Sequence, residues 1–429
     1  MAIQKVLIIT YYWPPAGGPG VQRWLKFVKY LPQFGIEPIV YCPDNPSYPI
    51  IDKSLIDEIP EGIKVIKQPI KEPYRFAQLL SKKRSKTISS GIIPDKAKQT
   101  FTDRFLLFIR GNFFIPDARK AWVKPSVQFL SNYIKNEGIS TIITTGPPHS
   151  LHLIGFQLKQ KLKINWIADF RDPWTTIGYH RSLKLLKTSV KKHKYLEQHV
   201  LDSADKLVVT SQHTKLEFSS KTKTPITVIT NGYDTYPSHK IKKDTTFSLS
   251  HIGSLLSERN PLVLWEVLSE LISENAEFAE SFQLNLVGVV SHAVVDSITA
   301  FGLADYSKVI GYVNHNDAIS YQRQSQLLLL IEIDSEDTKA IIPGKLFEYM
   351  VSETPILAIG PKDSDIEQII RSTNTGTYFS YSEKTKLKTQ ILEYFRVFKK
   401  NRLQSHPIGL NKYSRKVLTK TLSQLIKEF

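Results

Sequence analysis

Two consecutive stretches decide the fold: IPGKLFEYM at residues 342–350 and PILAIG at residues 355–360. Pro343 has no backbone donor and a fixed φ, so it suits the first turn of a helix. Lys345 and Glu348, three residues apart, are expected to share a face of that helix, and the following apolar run predicts a buried strand. A cation and an acid at a helix N-terminus beside a sheet can hold a diphosphate and a ribose. The alternative is an ion pair on a solvated helix face.

This segment resembles the donor-site helix of the retaining GT-B glycosyltransferases of family 4. The resemblance implies that Glu348 binds the ribose hydroxyls of a sugar nucleotide. The family pattern has a second glutamate, with seven residues between the two, and that residue contacts the donor sugar. Ala340 stands at that position here. One of the acids in the loop at residues 332–339 is a candidate replacement, but the sequence does not select which.

Bulk properties set the broad class. A chain of 429 residues is expected to form two or three domains. The net charge of +17 suits nucleic acid, an anionic membrane or anionic substrates such as nucleotide sugars. The single cysteine, Cys42, excludes an intramolecular disulfide and a cysteine-rich zinc site.

Residues 1–10 are too short an apolar run for a signal peptide, and no stretch is long enough to span a bilayer. We therefore expect a cytoplasmic protein, either free in the cytoplasm or bound peripherally to the inner face of the cytoplasmic membrane.

A glycine-rich loop opens the first β-loop-α-β unit. The strand at Lys5–Thr10 is followed by YYWPPAGGPG at residues 11–20 and by helical apolar spacing at Val21–Tyr30. Glycines let a backbone approach a phosphate, although a tight structural turn explains them equally well. The run is not GxGxxG, which disfavours a nicotinamide site. The family resemblance implies that the two central glycines contact the donor. The anion-binding candidates here are Gly17, Gly18 and, one turn into the helix, Arg23.

Basic and aromatic segments point to a surface partner. Residues 43–120 look irregular and carry the basic run Lys82–Lys86, followed by an aromatic-aliphatic segment at 101–116. A further basic helix is expected at Arg181–Val200. Such stretches suit an anionic membrane or an acceptor lipid, and the alternative is a solvated lid with a core helix. The sequence shows no recognition helix of a DNA-binding motif and no aromatic surface on which bases would stack, so we expect no nucleic acid partner.

Two polar loops follow neighbouring strands of the first half. GPPHS at 146–150 follows the strand at 139–145, and FRDPW at 170–174 follows the strand at 164–169. The carboxyl ends of parallel strands meet at one sheet edge, where ligands of open α/β sheets bind.

A charged cluster begins at the end of the second strand: it contains Asp169, the strand's last residue, with Arg171 and Asp172 of the loop. The alternative interpretation is a structural turn in which the arginine and the aspartates pair with one another. The phrase DFRDPW resembles a motif of bacterial family-4 enzymes that build surface polysaccharides. That resemblance implies that one histidine and one acid line the reacting centre, with His152 competing for the histidine's role. The implied catalytic residues are His149 and Asp172, and the implied acceptor-side residues are Arg171 and Trp174.

The second half of the chain repeats the strand-loop-helix order of the first half. A strand at Phe247–Ile252 leads into the loop at 253–261 and a helix from Leu262, a second candidate for phosphate binding. A helix-start arginine in solvent is the alternative. The terminal helix at 413–429 is expected to cross back onto the first domain. With the family resemblance, the implied donor-binding residues are Gly17, Gly18, Gly253, Arg259, Lys345 and Glu348.

The expected fold class is α/β: a GT-B protein with two Rossmann-like, doubly wound domains facing a central cleft. The expected domains are residues 1–232, completed by 411–429, and residues 235–410. The resemblance implies a retaining, metal-independent hexosyl or N-acetylhexosaminyl transferase, without a cofactor, acting on a glycan or lipid-linked acceptor in cell-surface polysaccharide synthesis. The alternative is a noncatalytic protein that binds a sugar nucleotide or serves as a scaffold. A dehydrogenase is a distant third, because neither half carries the dinucleotide fingerprint.

Overall fold

The computed structural model describes residues 3–72, 101–178, 180, 183–234 and 241–429. The chain divides into two compact units. Unit 1 comprises residues 1–231 together with 415–429, and unit 2 comprises residues 232–414. The basic run at Lys82–Lys86 lies outside the described residues.

The centre of unit 1 is a seven-stranded sheet in the order β3-β2-β1-β4-β5-β6-β7. Every neighbouring pair is parallel. A parallel sheet needs helices on both faces, and its strands are accordingly apolar on both sides. The strands are β1 (Gln4–Ile9), β2 (Ile36–Pro43), β3 (Lys64–Gln68), β4 (Thr141–Gly146), β5 (Asn165–Phe170), β6 (Lys206–Val209) and β7 (Ile226–Val228).

Two helical layers cover this sheet. Alternate residues of β1 point to opposite faces, so that Leu7 and Ile9 join one core while Val6 and Ile8 join the other, as the period of a strand requires. The C-terminal helix packs into the second of these cores. The helices are α1 (Pro19–Tyr30), α2 (Phe101–Phe113), α3 (Val123–Glu137), α4 (Ser150–Lys161), α5 (Lys187–Ser203), α6 (Gln212–Ser219) and, at the end of the chain, Arg415–Lys427.

Unit 2 is built on a six-stranded parallel sheet in the order β10-β9-β8-β11-β12-β13. Its strands are β8 (Phe247–Ile252), β9 (Phe282–Val287), β10 (Ser307–Gly311), β11 (Leu327–Ile331), β12 (Ile356–Ile359) and β13 (Gly376–Phe379). The helices are α7 (Leu262–Glu274), α8 (Ala276–Ser281), α9 (His292–Ala300), α10 (His315–Gln324), α11 (Gly344–Met350), α12 (Asp365–Thr373) and α13 (Lys384–Lys399), so the terminal helix Arg415–Lys427 is α14.

Both sheets reverse their winding at an equivalent place. In unit 1 the chain winds outward from β1 to β3 and then restarts at β4 on the other side of β1; in unit 2 it does the same at β8 and β11. Loops that leave the carboxyl ends of the two strands at such a switch point diverge, and the crevice between them is where open α/β sheets bind ligands.

Three details of the sequence prediction are corrected. The segment at 43–120 is not wholly irregular, since it contains the edge strand β3 and the helix α2. Pro343 is the residue before α11 rather than in its first turn, with an extended ψ of 140°. The helix of the predicted basic segment begins at Lys187, and its expected start, Arg181, lies outside the described residues. Within the described part of the chain, no helix combines the length and apolarity needed to cross a bilayer.

Candidate functional site

The loop after β8 brings a lysine of unit 2 against the backbone. Gly253 has a φ of +118°, and a Cβ there would lie 3.2 Å from the Nζ of Lys345. That Nζ donates to the carbonyl oxygen of Ile252 at 3.1 Å and lies 3.2 Å from the Nε2 of His251. Glycine is needed here because a side chain would meet both a left-handed backbone and the ammonium.

The tautomer of His251 follows from its partners. Its Nδ1 lies 3.1 Å from the carbonyl oxygen of Leu329, which can only accept, so Nδ1 carries the proton and Nε2 accepts from Lys345. Burial and the nearby ammonium hold the pKa of His251 well below its ordinary value. Burial also lowers the pKa of Lys345 to about 8, against the opposing influence of Glu332. The ammonium of Lys345 at the end of β8 has lost much of its hydration, so an anion bound beside it would stabilise its charged form.

Arg259 and Glu332 form the second part of this group. Arg259 belongs to a short 3₁₀ turn after β8, and Glu332 immediately follows β11, so they come from the two strands that flank the switch point of unit 2. Their Nη2 and Oε2 atoms are 3.4 Å apart. The Glu332 side chain is only 2% exposed, and its other oxygen has no hydrogen-bond partner among the described residues. Burial raises the pKa of Glu332, while Arg259 and Lys345 oppose that rise.

Glu348 is placed differently from its expected position beside Lys345. Its Oε2 accepts a hydrogen bond from the Nε2 of Gln322 at 3.1 Å, whereas Lys345 turns toward β8. The two residues make no ion pair in the described structure, so the alternative of a simple i,i+3 pair on α11 is wrong. The Glu348 charge nevertheless raises the pKa of Lys345, because the two groups share one short helix.

In unit 1 the glycine loop meets an arginine. Gly18 caps α1 with a φ of +98°, and a Cβ on Gly20 would lie 1.9 Å from an Nη of Arg171. Arg171 also donates to the carbonyl oxygen of Pro147, and its guanidinium carbon lies 5.6 Å from the centre of the Tyr12 ring. The sheet edge thus carries a helix N-terminus and a fixed cation side by side, an arrangement that favours anions.

The backbone N–H of Gly17 already has a hydrogen-bond acceptor within the protein. It donates to the carbonyl oxygen of Ile50 at 3.0 Å, and a Cβ on Gly17 would lie 2.9 Å from the Ile50 side chain. This glycine is therefore required by the packing of the loop. The expected phosphate contact through its N–H is not supported, whereas Gly18 keeps its place at the start of α1.

Asp172 lies beside Arg171 at the end of β5. The backbone N–H of Arg171 donates to the Gly146 carbonyl at 2.9 Å, and its carbonyl accepts from the Thr210 hydroxyl at 2.8 Å. These bonds fix the turn that presents Asp172. Burial raises the pKa of Asp172, and Arg171 opposes that rise. Its carboxylate makes no hydrogen bond within the described ranges, so it is available to a ligand.

His149 is held face to face with Trp174. Their ring centroids are 4.8 Å apart with an interplanar angle of 4°, and His149 is only 3% exposed. Neither ring nitrogen of His149 has a hydrogen-bond partner among the described residues. Burial and the surrounding cations hold its pKa well below the ordinary value. The competing His152 instead lies with its Nδ1 2.9 Å from the Thr144 hydroxyl, which makes it a residue of the core.

Asp169 and Arg23 prove to be structural. Arg23 makes a bidentate pair with Asp169, at 2.8 and 3.4 Å, and its remaining nitrogen donates to the Thr230 carbonyl at 2.8 Å. Asp169 also accepts from Trp24 and Thr145, at 3.0 and 2.8 Å. The sequence prediction that Arg23 is available to an anion is wrong, because all of its donors point inward.

Each unit therefore gathers one group of chemically capable side chains at its switch point. In unit 1 the group is Gly18, Arg171, Asp172, His149 and Trp174, and in unit 2 it is Gly253, Arg259, Lys345 and Glu332, with Glu348 on the same helix as Lys345. Glu332 was not among the selected site residues. The signal that could have found it is an acid directly after a buried apolar strand, where the sheet edge begins. Within the described chain, no cluster of three or more histidine, cysteine or acidic side chains is arranged to hold a metal ion.

Comparisons with solved structures give the fold a name. The chain superimposes on sucrose-phosphate synthase from Thermosynechococcus elongatus with a TM-score of 0.61 and 13% identity, covering 99% of this chain and 98% of that one. It superimposes on WaaG, described as a glycosyltransferase involved in lipopolysaccharide biosynthesis, with a TM-score of 0.57, 12% identity and coverage of 99% and 100%. Anabaena Alr3699/HepE, solved with UDP-glucose, gives 0.59, 14% identity and coverage of 99% and 100%.

No protein-family model matches the sequence, and no curated protein resembles it significantly. At the identities of the structural matches the likeness is one of fold. The two parallel-sheet α/β domains and their full-length match to these structures confirm the predicted fold class: this chain has the GT-B fold of glycosyltransferases.

Proposed function

We propose that this protein is a retaining glycosyltransferase that moves a hexosyl or N-acetylhexosaminyl group from a nucleotide diphosphate sugar to a glycan or lipid-linked acceptor in cell-surface polysaccharide synthesis. The observation that carries the proposal is the pair of cations, Arg259 and Lys345, gathered around the end of β8. The UDP-glucose bound to Anabaena HepE supports the donor class, and the lipopolysaccharide role of WaaG supports the cell-surface setting.

The donor roles divide among the side chains of unit 2. Lys345 and Arg259 bind the diphosphate, and Gly253 lets it approach the backbone closely. Glu348 binds the ribose hydroxyls through the face that Gln322 occupies in the free protein. Glu332, the acid nearest to both cations, contacts the donor sugar in place of the glutamate that Ala340 replaces.

The acceptor roles fall to unit 1. Asp172 presents an unbonded carboxylate on a turn fixed by backbone hydrogen bonds, which suits a hydrogen bond to an acceptor or sugar hydroxyl. His149 lines the reacting centre and is supported by its stack on Trp174. Arg171 orders the same edge through Pro147 and the start of α1.

The chemistry needs charge stabilisation more than proton transfer. The bond between the anomeric carbon and the diphosphate oxygen breaks, the acceptor oxygen bonds to that carbon, and the acceptor's proton passes to the departing diphosphate. Negative charge grows on the departing diphosphate, beside the ammonium of Lys345 and the guanidinium of Arg259. Fixed cations and amides at the site of developing charge are a large source of rate enhancement. This pair is our reason for proposing a metal-independent transfer.

Release of nucleoside diphosphate from a panel of nucleotide sugars, with and without acceptor lipid extracts, tests the proposal. We expect turnover with one donor, and a loss of at least about tenfold in Arg259→Gln, the scale of a lost charged hydrogen bond. Arg396→Gln, which removes an exposed arginine of α13 paired only with Glu393, is the matched control. Donor binding without turnover under every condition favours the alternative, a noncatalytic sugar-nucleotide-binding scaffold, which the alanine at position 340 motivates.

For the location we propose the cytoplasmic face of the membrane, with α5 against the lipid. This helix carries exposed lysines, and exposed apolar side chains occur on α2 and on the residue before α5. The two segments are joined where the N–H of Leu186 donates to Asn112 of α2 at 2.8 Å. Such a combination suits an anionic surface. The residues concerned are Lys187, Lys191, Lys192, Lys194, Phe105, Phe113 and Leu186.

A further inference from the structure

A small cavity in unit 1 has a lining that the donor chemistry does not explain. Its volume is about 170 Å³, and its walls include three histidines, two arginines and an aspartate. Pockets that hold drug-sized ligands measure about 300–1,000 Å³, so this cavity accommodates one small group and excludes a whole nucleotide sugar. The polar lining residues are His149, His180, His193, Arg110, Arg119 and Asp117.

Two of the buried histidines offer unused hydrogen-bonding atoms to this space. His149 has both ring nitrogens without a partner among the described residues. His193 is 1% exposed, and its Nδ1 accepts from the indole of Trp174 at 3.2 Å. Its Nε2 must therefore carry the proton, and no acceptor meets that N–H with hydrogen-bond geometry, although the Gly111 carbonyl is near enough to raise its pKa. Buried polar atoms of this kind are normally satisfied, and a ligand is one explanation when they are not.

The acids near the cavity are already engaged by donors of the protein. Asp117 accepts from the N–H and hydroxyl of Ser150, both at 2.8 Å, and from the N–H of Arg119 at 2.9 Å. Glu72 forms an ion pair with Arg119, with 3.0 Å between Oε1 and Nε, and accepts a hydrogen bond from the Tyr11 hydroxyl at 2.7 Å. Glu72 is balanced by the charge of Arg119, and the oxygens of Asp117 are turned to the N–H and hydroxyl groups that they accept from.

The ionisable groups that act on His149 and His193 all disfavour protonation of their rings. His149 is influenced by His152, His180, His193 and Arg171, and each of them lowers its pKa, after burial itself. His193 is influenced in the same direction by His180 and Lys192. The remaining charged or titratable groups in the lining are Arg110, Arg119 with its partner Glu72, Asp117 and Tyr12. This environment repels a proton in the empty cavity, and an anion would reverse that preference.

We propose that this cavity binds the anionic group of the acceptor, a phosphate or a carboxylate, through His149, His193 and the arginines of its lining. Calling the ligand an acceptor rests on the proposed function; the anion site itself stands on the geometry of unit 1 alone. Because the imidazoles are neutral when the cavity is empty, binding takes up a proton and strengthens as the pH falls from 7.5 to 6.

Titration calorimetry of the full-length protein tests the site with four probes at pH 6.0 and 7.5. Geranyl phosphate represents a lipid phosphate, glucuronate an acidic sugar, inorganic phosphate the bare anion, and methyl glucoside the neutral control. We expect saturable binding of at least one anion, tighter at pH 6.0, with proton uptake revealed by buffers of different ionisation enthalpy. Preference for geranyl phosphate or for glucuronate identifies the source of the anion. No anion binding, or methyl glucoside binding as tightly as the anions, overturns the proposal.

Two substitutions locate the binding, and His199→Gln on the same helix as His193 is their control. We expect His149→Gln and His193→Gln each to weaken anion binding about tenfold, the scale of a lost charged hydrogen bond, and His199→Gln to leave it unchanged. If a variant fails to fold, imidazole ¹⁵N shifts of the wild-type protein during the phosphate titration replace it, since a bound anion must protonate or hydrogen-bond these rings. Unmoved shifts overturn the proposal.

The donor assay separates this inference from the proposed function. Sugar transfer by a protein that binds none of the anions removes the cavity site and leaves the transferase intact. Anion binding by a protein that turns over no nucleotide sugar removes the transferase and leaves the anion site. In an active enzyme the two histidine variants are expected to raise the acceptor KM.

Discussion

Arg259 and Glu332 face each other across the switch point of the second sheet, with 3.4 Å between Nη2 and Oε2. The carboxylate is buried and the guanidinium is partly exposed. Glu332 therefore acts as a built-in anion beside the guanidinium that we propose as a ligand of the diphosphate. An incoming phosphate must compete with it for the same guanidinium, and the two roles proposed for Glu332, counter-ion and sugar contact, give different experimental signatures.

The first prediction concerns Glu332→Gln. Removing the competing charge is expected to tighten binding of the nucleoside diphosphate alone by about 1 kcal/mol, since the pair is partly solvated. If Glu332 also contacts the sugar, the same variant loses the advantage of the sugar nucleotide over the bare diphosphate, and its turnover falls. Calorimetry with both ligands measures the two effects. Unchanged affinity for both, in a folded variant, shows that Glu332 does not face the donor.

The second prediction is a pH dependence set by Lys345. Its pKa is lowered to about 8 by burial, so the ammonium is lost as the pH rises through 8. A diphosphate prefers the charged form, and donor affinity is expected to fall above pH 8 by up to tenfold for each pH unit. Lys345→Arg remains charged and is expected to flatten this profile, whereas Lys345→Met is expected to bind weakly at every pH. A wild-type profile that is flat from pH 7 to 10 contradicts the assignment.

The third prediction concerns Glu348. Glu348→Ala is expected to weaken donor binding by about 1–3 kcal/mol, the scale of a lost charged hydrogen bond. Gln322→Leu removes the present partner of Glu348 without removing the acid, so it is expected to leave the ribose contact in place. Fluorescence titration with the nucleotide found in the donor panel measures both. Equal losses in the two variants would mean that the pair itself, rather than the acid, is needed.

Much of this fold is predictable because parallel strands buried on both faces leave a strong signal. The sequence predicts the strands β1, β8 and β11 from their apolar runs, and it predicts the glycine turns after β1 and β8. These elements in turn indicate that Gly253, Arg259 and Lys345 lie at one edge of the sheet. Edge strands such as β3 leave a weaker signal, because charged residues alternate with apolar ones in Lys64–Gln68.

The roles of charged residues were harder to predict, because they depend on partners far away in the sequence. Arg23 looked available to an anion, yet its partner Asp169 lies 146 positions along the chain. An ion pair of Lys345 and Glu348 on one helix face was the alternative prediction, yet tertiary contacts with Ile252 and Gln322 separate them. Glu332 was not separated from the other acids of its loop, although its place directly after an apolar run was a signal, and its burial now distinguishes it.

The fourth prediction concerns the membrane face. Vesicles containing anionic lipid are expected to bind the protein at low salt and release it at high salt, because exposed charges are screened. Replacing Lys187, Lys191 and Lys194 by glutamine is expected to weaken binding by about 1 kcal/mol per lysine. Replacing the exposed lysines Lys386 and Lys400 of unit 2 in the same way is the control. Equal binding by both variants, or none by the wild type at low salt, rejects α5 as the contact.

The last prediction separates structure from catalysis at Asp169. This carboxylate is 1% exposed and is shared by Arg23, Trp24 and Thr145, so Asp169→Ala leaves a buried guanidinium without its counter-charge. Breaking such a pair costs about 3–5 kcal/mol. Glu428→Ala, which removes a half-exposed partner of Lys206, is expected to cost less than about 1 kcal/mol. Calorimetric melting is the suitable measurement, because two units need not unfold together. A variant Asp169→Ala that melts like the wild type but has lost sugar transfer would place Asp169 in the reacting centre instead of the core.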